Sequence, residues 1–302
     1  MQVLVAPAAF DGALRASQVA AAIGQGLESA GLEPPDLCPV ADGGAGTIEV
    51  LLTRLGGETA AARVTRPDGR PVDVGFALLD GGSTALVEAA AGLGVGAGAG
   101  VQVEAGLGFH PGRVGAGAAT ADPRPGAGTW GAGELILAGV EAGAEVVIVA
   151  AGGRSAGEDR GAGAIAAIEA AGGLRGTRLI VLGDQRPADG RDGLAAGLAR
   201  AFRAELRAGA GFVLEALEFD TRMRAARALV VGERRLDRST LDGRIVAELA
   251  IRARQAGVPA HAIVGVDALD RFDARILDLQ EILTGSTREE IVAAGRALAA
   301  RL

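Results

Sequence analysis

Short apolar runs separated by longer amphipathic segments set the pattern of this chain. Strand-like runs occupy residues 1–6, 37–41, 145–151, 178–182, 228–231 and 260–264. After the first run, Val19, Ile23 and Leu27 recur at the spacing of a helix face. Because strands alternate with helices along the chain, the pattern predicts an α/β protein.

The pattern of predicted secondary structure changes after residue 60, from alternating strands and helices to consecutive strands. Residues 61–65 and 72–79 flank a Pro-Asp-Gly turn and predict a β-hairpin, followed by a strand at 84–88. We therefore predict a Rossmann-like α/β domain split by an inserted second α/β domain, with a cleft between them. The predicted bounds are 1–60 plus 215–302 for the Rossmann-like domain and 61–214 for the inserted one.

Two further segments complete the prediction of the inserted domain. Residues 92–128 consist almost entirely of Gly and Ala with scattered Pro, a composition that predicts a long loop, either a plain mobile segment or a lid over an active site. Residues 194–208 predict a helix, and 212–214 predict a short strand.

The amino-acid composition and net charge limit the kinds of molecule that the protein is expected to bind. The 302-residue chain has a net charge of −7 and a pI of about 5.1, which argues against nucleic acid. Its single cysteine, Cys38, cannot form an internal disulfide, as is usual in the cytosol. We see neither a signal-peptide pattern nor an apolar stretch of membrane-spanning length. The expectation is a cytoplasmic protein that does not contact a membrane.

The chain contains no lysine, and all thirty of its basic residues are arginine. A phosphate-loop lysine is therefore excluded. If the protein binds a nucleotide, backbone N–H groups, arginines and a metal ion must hold the phosphates.

Three glycine-bearing loops with carboxylates follow apolar runs, which is where ligands bind in open α/β sheets. The first is residues 39–47 (PVADGGAGT), where Asp42 precedes a predicted helix. Asp42 is either a helix cap or a metal ligand or base beside an anion site. The second is residues 152–163 (GGRSAGEDRGAG), which is either a solvated turn or an anion or metal site. The third is the charged segment 232–244 (GERRLDRSTLDGR).

Five segments, in order along the chain, resemble the bacterial glycerate kinase family of the glycerate 2-kinase type. Residues 39–47 are similar to the family's PVADGGEGT. Residues 64–79, 87–94 and 128–136 are similar to its V-x-G-P-L-G-x-P-V, E-x-A-x-A-x-G-L and T-Y-G-x-G-E-L-I segments. Residues 231–244 are similar to T-G-E-G-x-x-D-x-Q-T-x-x-G-K.

The resemblance implies ATP- and Mg²⁺-dependent phosphorylation of glycerate or a related small hydroxy-acid, with a homodimer as a possible assembly. It implies Asp42, Glu233 and Asp237 as catalytic residues, with Asp42 and Asp237 also as metal ligands. It implies that substrate and phosphates are bound by Gly43, Gly44, Thr47, Glu88, Thr129, Glu134, Gly152, Gly153, Arg154, Asp159, Thr240 and Arg244.

The chain also departs from the family pattern. The family's P-D-S-F-K-G-S-L is PAAFDGAL at residues 7–14, so an acid, a hydroxyl and a lysine are replaced. The block G-G-S-A-T-N-D-G-G-A-G has an extra residue and no Asn at 152–163. These departures leave a catalytically silent paralogue that binds a ligand or partner as the alternative. A nicotinamide-dependent oxidoreductase is disfavoured, because no G-x-G-x-x-G follows the first strand.

Overall fold

The structure is a computed structural model that describes residues 1–10, 13–93, 128–152, 159–183, 193–242 and 244–302. Residues 94–127 of the Gly/Ala-rich segment, with its predicted loop or lid, lie outside this part. The α/β class is confirmed. The elements are β1 (Val3–Pro7), α1 (Ala16–Ser29), β2 (Asp36–Leu37), α2 (Thr47–Leu55), β3 (Glu58–Thr65), β4 (Pro71–Leu79), β5 (Thr84–Glu88), α3 (Ala89–Leu93), α4 (Trp130–Glu141), β6 (Val146–Gly152), α5 (Ala162–Ala170), β7 (Arg178–Gly183), α6 (Leu194–Phe202), β8 (Glu205–Ala208), α7 (Gly209–Ala216), α8 (Phe219–Ala225), β9 (Ala228–Leu236), α9 (Ile245–Ala256), β10 (Ala260–Asp267), α10 (Arg271–Leu277), β11 (Leu279–Thr284) and α11 (Arg288–Ala299).

The chain forms two compact units. The first unit comprises Met1–Asp42 and Val213–Leu302, and the second comprises Gly43–Phe212. The chain leaves the first unit directly after Asp42 and returns to it within α7. The domain bounds predicted from the sequence stay a prediction. Among the described residues, no helix has both the length and the apolar character needed to cross a membrane.

The first unit is built on a parallel sheet with the strand order β11-β10-β9-β1-β2. The chain steps from β1 to β2 in one direction and from β9 to β10 and β11 in the other. The order of winding therefore reverses between β1 and β9. Open α/β sheets bind ligands beyond the carboxyl ends of the strands at such a reversal point.

Helices α1 and α11 pack on this sheet over a core that includes Val5, Ile23 and Ile291. The contact between the two helices leaves no room for a side chain at Gly26. A Cβ atom on Gly26 would lie 2.4 Å from the carbonyl oxygen of Val292, so only glycine fits without a shift of the backbone.

We expect Gly26→Ala to lower the free energy of unfolding by about 2 kcal/mol, because overpacking against backbone atoms forces the helices apart. Gly24→Ala, in the same helix, is the matched control. Its Cβ would meet side-chain atoms and no backbone among its nearest neighbours: Leu37 at 3.2 Å, Pro35 at 3.4 Å and Glu28 at 3.9 Å. Urea unfolding of both variants checks this, and equal stabilities would contradict it.

The second unit is built on a mixed sheet with the strand order β3-β4-β5-β6-β7-β8. Strands β3, β4 and β5 pair in antiparallel fashion, whereas β5 through β8 run parallel. The carboxyl ends of the parallel strands consequently share one edge of the sheet. That edge carries Glu88, Gly152, Gly183 and Ala208, the last residues of the four strands.

Helix α4 supplies much of the second core. Leu135 and Ile136 are fully buried and pack with Phe76 of β4. Gly133 of α4 faces Ala164 and Ala167 of α5, and a Cβ at this position would lie 2.6 Å from the carbonyl oxygen of Ala164. The small residues therefore let α4 and α5 approach closely, which positions the N-termini of both helices.

The structure differs from the predicted elements most clearly in three places. Strand β2 ends at Leu37, so residues 38–41 lie outside a strand. Strand β9 extends to Leu236, and the third place follows α6.

Helix α6 ends at Phe202, and Arg203 adopts the left-handed conformation with a φ of 53°. Residues Glu205–Ala208 then form β8, and Phe212 to Leu214 lie in α7 rather than in a strand. Short apolar runs do not distinguish strand from helix, and nothing in the local sequence marks Arg203 as a helix end.

Candidate active site

The 43–47 loop lies at the carboxyl edge of the second unit's sheet. The carbonyl oxygen of Gly43 accepts a hydrogen bond from the N–H of Gly152, the last residue of β6, over 3.1 Å. Gly43 has a φ of +91°, and a Cβ there would lie 2.5 Å from the Cα atom of Gly209. Only glycine meets both requirements, so the sequence places the loop against the ends of β6 and β8.

The N-terminus of α2 is held by groups from the protein itself. Its N-cap residue is Gly46, in the left-handed conformation with a φ of 87°. The Thr47 hydroxyl donates to the carbonyl oxygen of Gly44 over 2.7 Å, and the N–H of Ile48 donates to Glu88 Oε1 over 2.8 Å. The N-cap residue of α2 is therefore Gly46 rather than Asp42, and the carboxylate of Glu88 from β5 accepts from the first turn of the helix.

Glu88 is a buried carboxyl group with only 3% of its surface exposed. Burial raises the pKa of Glu88 from 4.5 to about 7, although bonds from the backbone of Ile48, Gly46 and Thr47 act in the opposite direction. The charge of Glu49 on α2 raises this pKa further. Carboxyl groups with such strongly raised pKa values cluster at functional sites.

Thr129 and Asp159 form a second cluster in the same unit, at the N-termini of α4 and α5. The carboxylate of Asp159 accepts from the N–H and the hydroxyl of Thr129, with distances of 2.8 to 3.0 Å. It also accepts from the N–H groups of Gly161 and Gly163 at 3.0 and 3.1 Å. The Thr129 oxygen in turn accepts from the N–H of Ala164. Asp159 thus caps α5 and joins it to α4.

Glu134 joins α4 to the end of β3. One oxygen of its carboxylate accepts from the N–H of Thr65, and the other accepts from the Thr65 hydroxyl and from the Trp130 indole at 3.1 and 2.9 Å. Trp130 itself is buried. Glu134 therefore stabilises the contact between α4 and β3 within the second unit.

In the first unit, Glu233 lies just beyond the end of β1, at the reversal point of the sheet. The register of β1 against β9 sets this position, because Pro7 at the end of β1 pairs with Gly232, the residue before Glu233. Glu233 is buried, with 6% of its surface exposed, and its Oε1 accepts from the hydroxyl of the buried Thr240 over 2.8 Å. The Thr240 oxygen also accepts from the N–H of Asp237, which closes the loop.

Asp237 directly follows β9 and lies in more open surroundings. Its Oδ1 accepts from the N–H and hydroxyl of Ser239 at 2.9 and 2.6 Å, and its Oδ2 accepts from Arg235 Nε at 2.9 Å. The hydroxyl of Ser239, followed by Arg235, lowers the pKa of Asp237. Arg244 is exposed at the N-cap of α9, where its N–H donates to the carbonyl oxygen of Thr240.

The structure thus brings the predicted residues into two sets, one in each unit. Five of them are buried polar side chains, namely Thr47, Glu88, Thr129, Glu233 and Thr240. Asp42 is exposed at the point where the chain passes between the units, and Gly153 and Arg154 lie outside the described residues. Within the described ranges, no group of three His, Cys, Asp or Glu side chains is placed to hold a metal ion.

Several hydrogen-bond partners of these residues were not predicted from the sequence. Ser239 follows Asp237 by two positions, the spacing of a local side-chain turn, and Trp130 precedes Glu134 by four, the spacing of a helix face. Both could have been found. The bond from Thr65 to Glu134 spans 69 positions and leaves no local signal.

The glycerate kinase family profile matches residues 3–175 and 181–297 of this chain. The chain is 29% identical over 344 aligned residues to an uncharacterised protein of Mycobacterium bovis, covering 94% of this chain and 84% of the relative. It is 37% identical over 172 residues to a glycerate kinase of Bacillus subtilis and 34% identical over 171 residues to a glycerate 2-kinase of Escherichia coli. These two alignments each cover 56% of this chain, and 39% and 40% of those proteins.

A crystal structure assigned to a glycerate kinase 2 from Salmonella typhimurium LT2 superposes with a TM-score of 0.69 at 22% identity. The superposition covers 100% of this chain and 98% of that one, and it establishes a shared fold. The profile match extends over both units and over every described site residue. The chain belongs to the glycerate kinase family.

Proposed function

We propose that this protein is a kinase that transfers the terminal phosphoryl group of ATP to glycerate or a related small hydroxy-acid. The observation that supports this best is the carboxyl-terminal end of β9, where Glu233 lies directly after the last pair with β1 and Asp237 directly follows the strand. Family membership supplies the reaction class.

Phosphoryl transfer requires positioning and charge stabilisation more than covalent chemistry. Asp42 is exposed beside the 43–47 loop, and we assign it as the base toward the substrate hydroxyl or as a metal ligand. Asp237 is ionised through its bonds to Ser239 and Arg235, which suits it to bind a cation. Glu233 holds the segment after β9 through its bond to Thr240.

Mg²⁺ is commonly held by one or two carboxylates together with substrate phosphates rather than by a cage of protein ligands. Asp42 and Asp237 fit that pattern as single carboxylates. A bound Mg²⁺ ion would neutralise charge on the ATP phosphates. In the absence of lysine, we assign Arg244 and the backbone of Gly43, Gly44 and Gly152 to the anionic groups of the substrates.

We assign three of the predicted binding residues a supporting role. The carboxylates of Asp159 and Glu134, and the hydroxyl of Thr129, already bond to protein groups on several sides. Those bonds join separate elements, unlike the local bonds of Asp237, so a ligand that displaced them would separate α4 from α5 and β3. We infer that these residues fix α4, α5 and β3 and do not touch the substrate. Thr47 and Glu88 likewise bond to the 43–47 loop and to α2.

The test is ADP formation with ATP, Mg²⁺ and D-glycerate, against a reaction without glycerate. We expect glycerate-dependent turnover in the wild type and a loss of at least tenfold in kcat in Asp42→Ala, because removing one charged partner commonly costs ~10²-fold or more in rate. Asp73→Ala, an exposed position on β4, is the matched control and should keep full activity.

Full activity of Asp42→Ala would remove Asp42 from the mechanism. Absence of turnover in the wild type, together with thermal stabilisation by ATP, would favour the silent paralogue, since a ligand that binds only the folded state stabilises it. Absence of both would overturn nucleotide binding. A cytoplasmic location and a homodimer stay predictions.

A further inference from the structure

Glu88 connects the end of β5 to the start of α2, next to the 43–47 loop. It is the last residue of β5 and pairs with Ala150 of β6, the strand whose final residue, Gly152, bonds to Gly43. The carboxyl group therefore lies under the loop, between its anchor on β6 and the first turn of α2.

The loop has two attachments of different chemistry. At one end, the bond between the Gly152 N–H and the Gly43 carbonyl is a neutral backbone bond of 3.1 Å. At the other end, the Ile48 N–H donates to Glu88 over 2.8 Å, across 40 positions of sequence. Bonds to an ionised carboxylate are roughly twice as strong as neutral ones. The strength of the second attachment therefore depends on the charge of Glu88.

A buried glutamate is a costly way to cap a helix. Ser, Thr, Asn or Asp at the N-cap position would satisfy an N–H group without burying a charge, but α2 has Gly46 there. The chain instead uses a carboxyl group that is 97% hidden from solvent, and burial raises its pKa to about 7. Its ionised fraction therefore changes steeply near neutral pH.

The charged groups on the elements packed around Glu88 are few. Among the described elements, α3 and β6 carry no titratable side chain, and the remaining charged groups are Glu49, Arg54, Glu134, Glu141 and Asp73, with Asp80 near the opposite, amino-terminal end of β5. Of these, Glu49 acts on Glu88 through its charge. Glu134 is engaged by Thr65 and Trp130.

We propose that Glu88 is a positioning residue whose ionised form holds the first turn of α2 and the 43–47 loop against the end of β6, so that its protonation loosens the loop and lowers turnover. This inference rests on the proposed function, because the 43–47 loop is assigned there to the substrates. Glu88 acts through the loop and is not a catalytic residue.

The first experiment compares pH profiles of kcat/KM for the wild type and Glu88→Gln between pH 5.5 and 8.5. With a pKa of about 7, the ionised fraction falls about tenfold from pH 8 to pH 6, so we expect a tenfold fall in wild-type kcat/KM. We expect this acid limb to be absent in Glu88→Gln, because the amide does not titrate. Ionisation of the substrates affects both proteins equally, so the difference between the profiles isolates Glu88.

Glu49→Gln is the second variant and leaves Glu88 in place. Removing the neighbouring charge lowers the pKa of Glu88, so the acid limb should move to lower pH. A purely structural role for Glu88 would not shift the profile. An unchanged acid limb in Glu88→Gln, or an unmoved limb in Glu49→Gln, would overturn the proposal.

Amide hydrogen exchange at Ile48 separates this proposal from the proposed function, because it requires no turnover. After correction for intrinsic exchange rates, wild-type protection of Ile48 should fall on going from pH 8 to pH 6 and should stay constant in Glu88→Gln. Constant protection in the wild type would overturn the proposal even in an active kinase. A fall in protection in an inactive protein would leave the positioning role intact and refute only the kinase assignment.

Discussion

Asp159→Ala is expected to lower the free energy of unfolding by about 4 kcal/mol. The substitution removes the acceptor for the N–H groups of Thr129, Gly161 and Gly163 and for the Thr129 hydroxyl. An unsatisfied buried donor costs about 1–3 kcal/mol, and partial access of water to Asp159 reduces the sum. The melting temperature should fall by roughly 10 °C on this basis.

The measurement is chemical or thermal unfolding of Asp159→Ala beside Asp159→Asn and Asp73→Ala. The Asn variant retains one acceptor oxygen and should lose about half as much stability. Asp73 is exposed on β4 of the same unit, and its replacement should change stability by less than about 0.5 kcal/mol. If Asp159→Ala unfolded like the Asp73 variant, the carboxylate would not join α4 to α5.

Glu88→Gln should become more stable relative to the wild type as the pH rises, by about 3 kcal/mol between pH 4.5 and pH 8. The folded state raises the pKa of Glu88 from 4.5 to about 7, so in that interval the folded protein keeps a proton that the unfolded chain has lost. The stability that neutral Glu88 contributes is complete below pH 4.5 and is lost as the pH rises through 7. Glutamine removes this dependence, and ~1.4 kcal/mol per pKa unit sets the size.

Urea unfolding of both proteins at half-unit steps of pH tests this. Glu58→Gln, an exposed position on β3, is the control, and its stability should differ from the wild type by a constant amount because its side chain stays in water in both states. A constant difference for Glu88→Gln as well would mean that Glu88 is not a desolvated carboxyl group. Ionisation of Glu88 would then not lower the free energy of unfolding.

The sequence predicted the site best where local chemistry and position agree. The segments at residues 39–47 and 232–244 were singled out because glycines and carboxylates follow apolar runs. In the structure, the first follows β2 and the second spans the end of β9, which extends into it. The structure also buries Glu88 and Glu233. The partner of Glu88 could not be predicted, because Ile48 lies 40 positions away and the packing of α2 against β5 brings the two together.

The change from helix to strand at Arg203 escaped prediction for a related reason. A left-handed arginine is uncommon, and the pairing of β8 with β7 stabilises the following residues as a strand. Tertiary pairing thus overrides the local preference for a helix. Residues 153 and 154 stay predictions, since they lie outside the described part of the chain.

The winding of the first unit has a consequence for synthesis on the ribosome. Strand β1 pairs with β2 and β9, and α1 packs on α11, so the early segment Met1–Asp42 lacks its main partners until residues after Val213 emerge. At ~5–20 residues per second, the wait from Asp42 to Ala228 is roughly 10–40 s. The second unit, contiguous in sequence, can be completed during that interval. Nascent chains that stall before β9 would therefore present the apolar faces of β1 and α1 to chaperones.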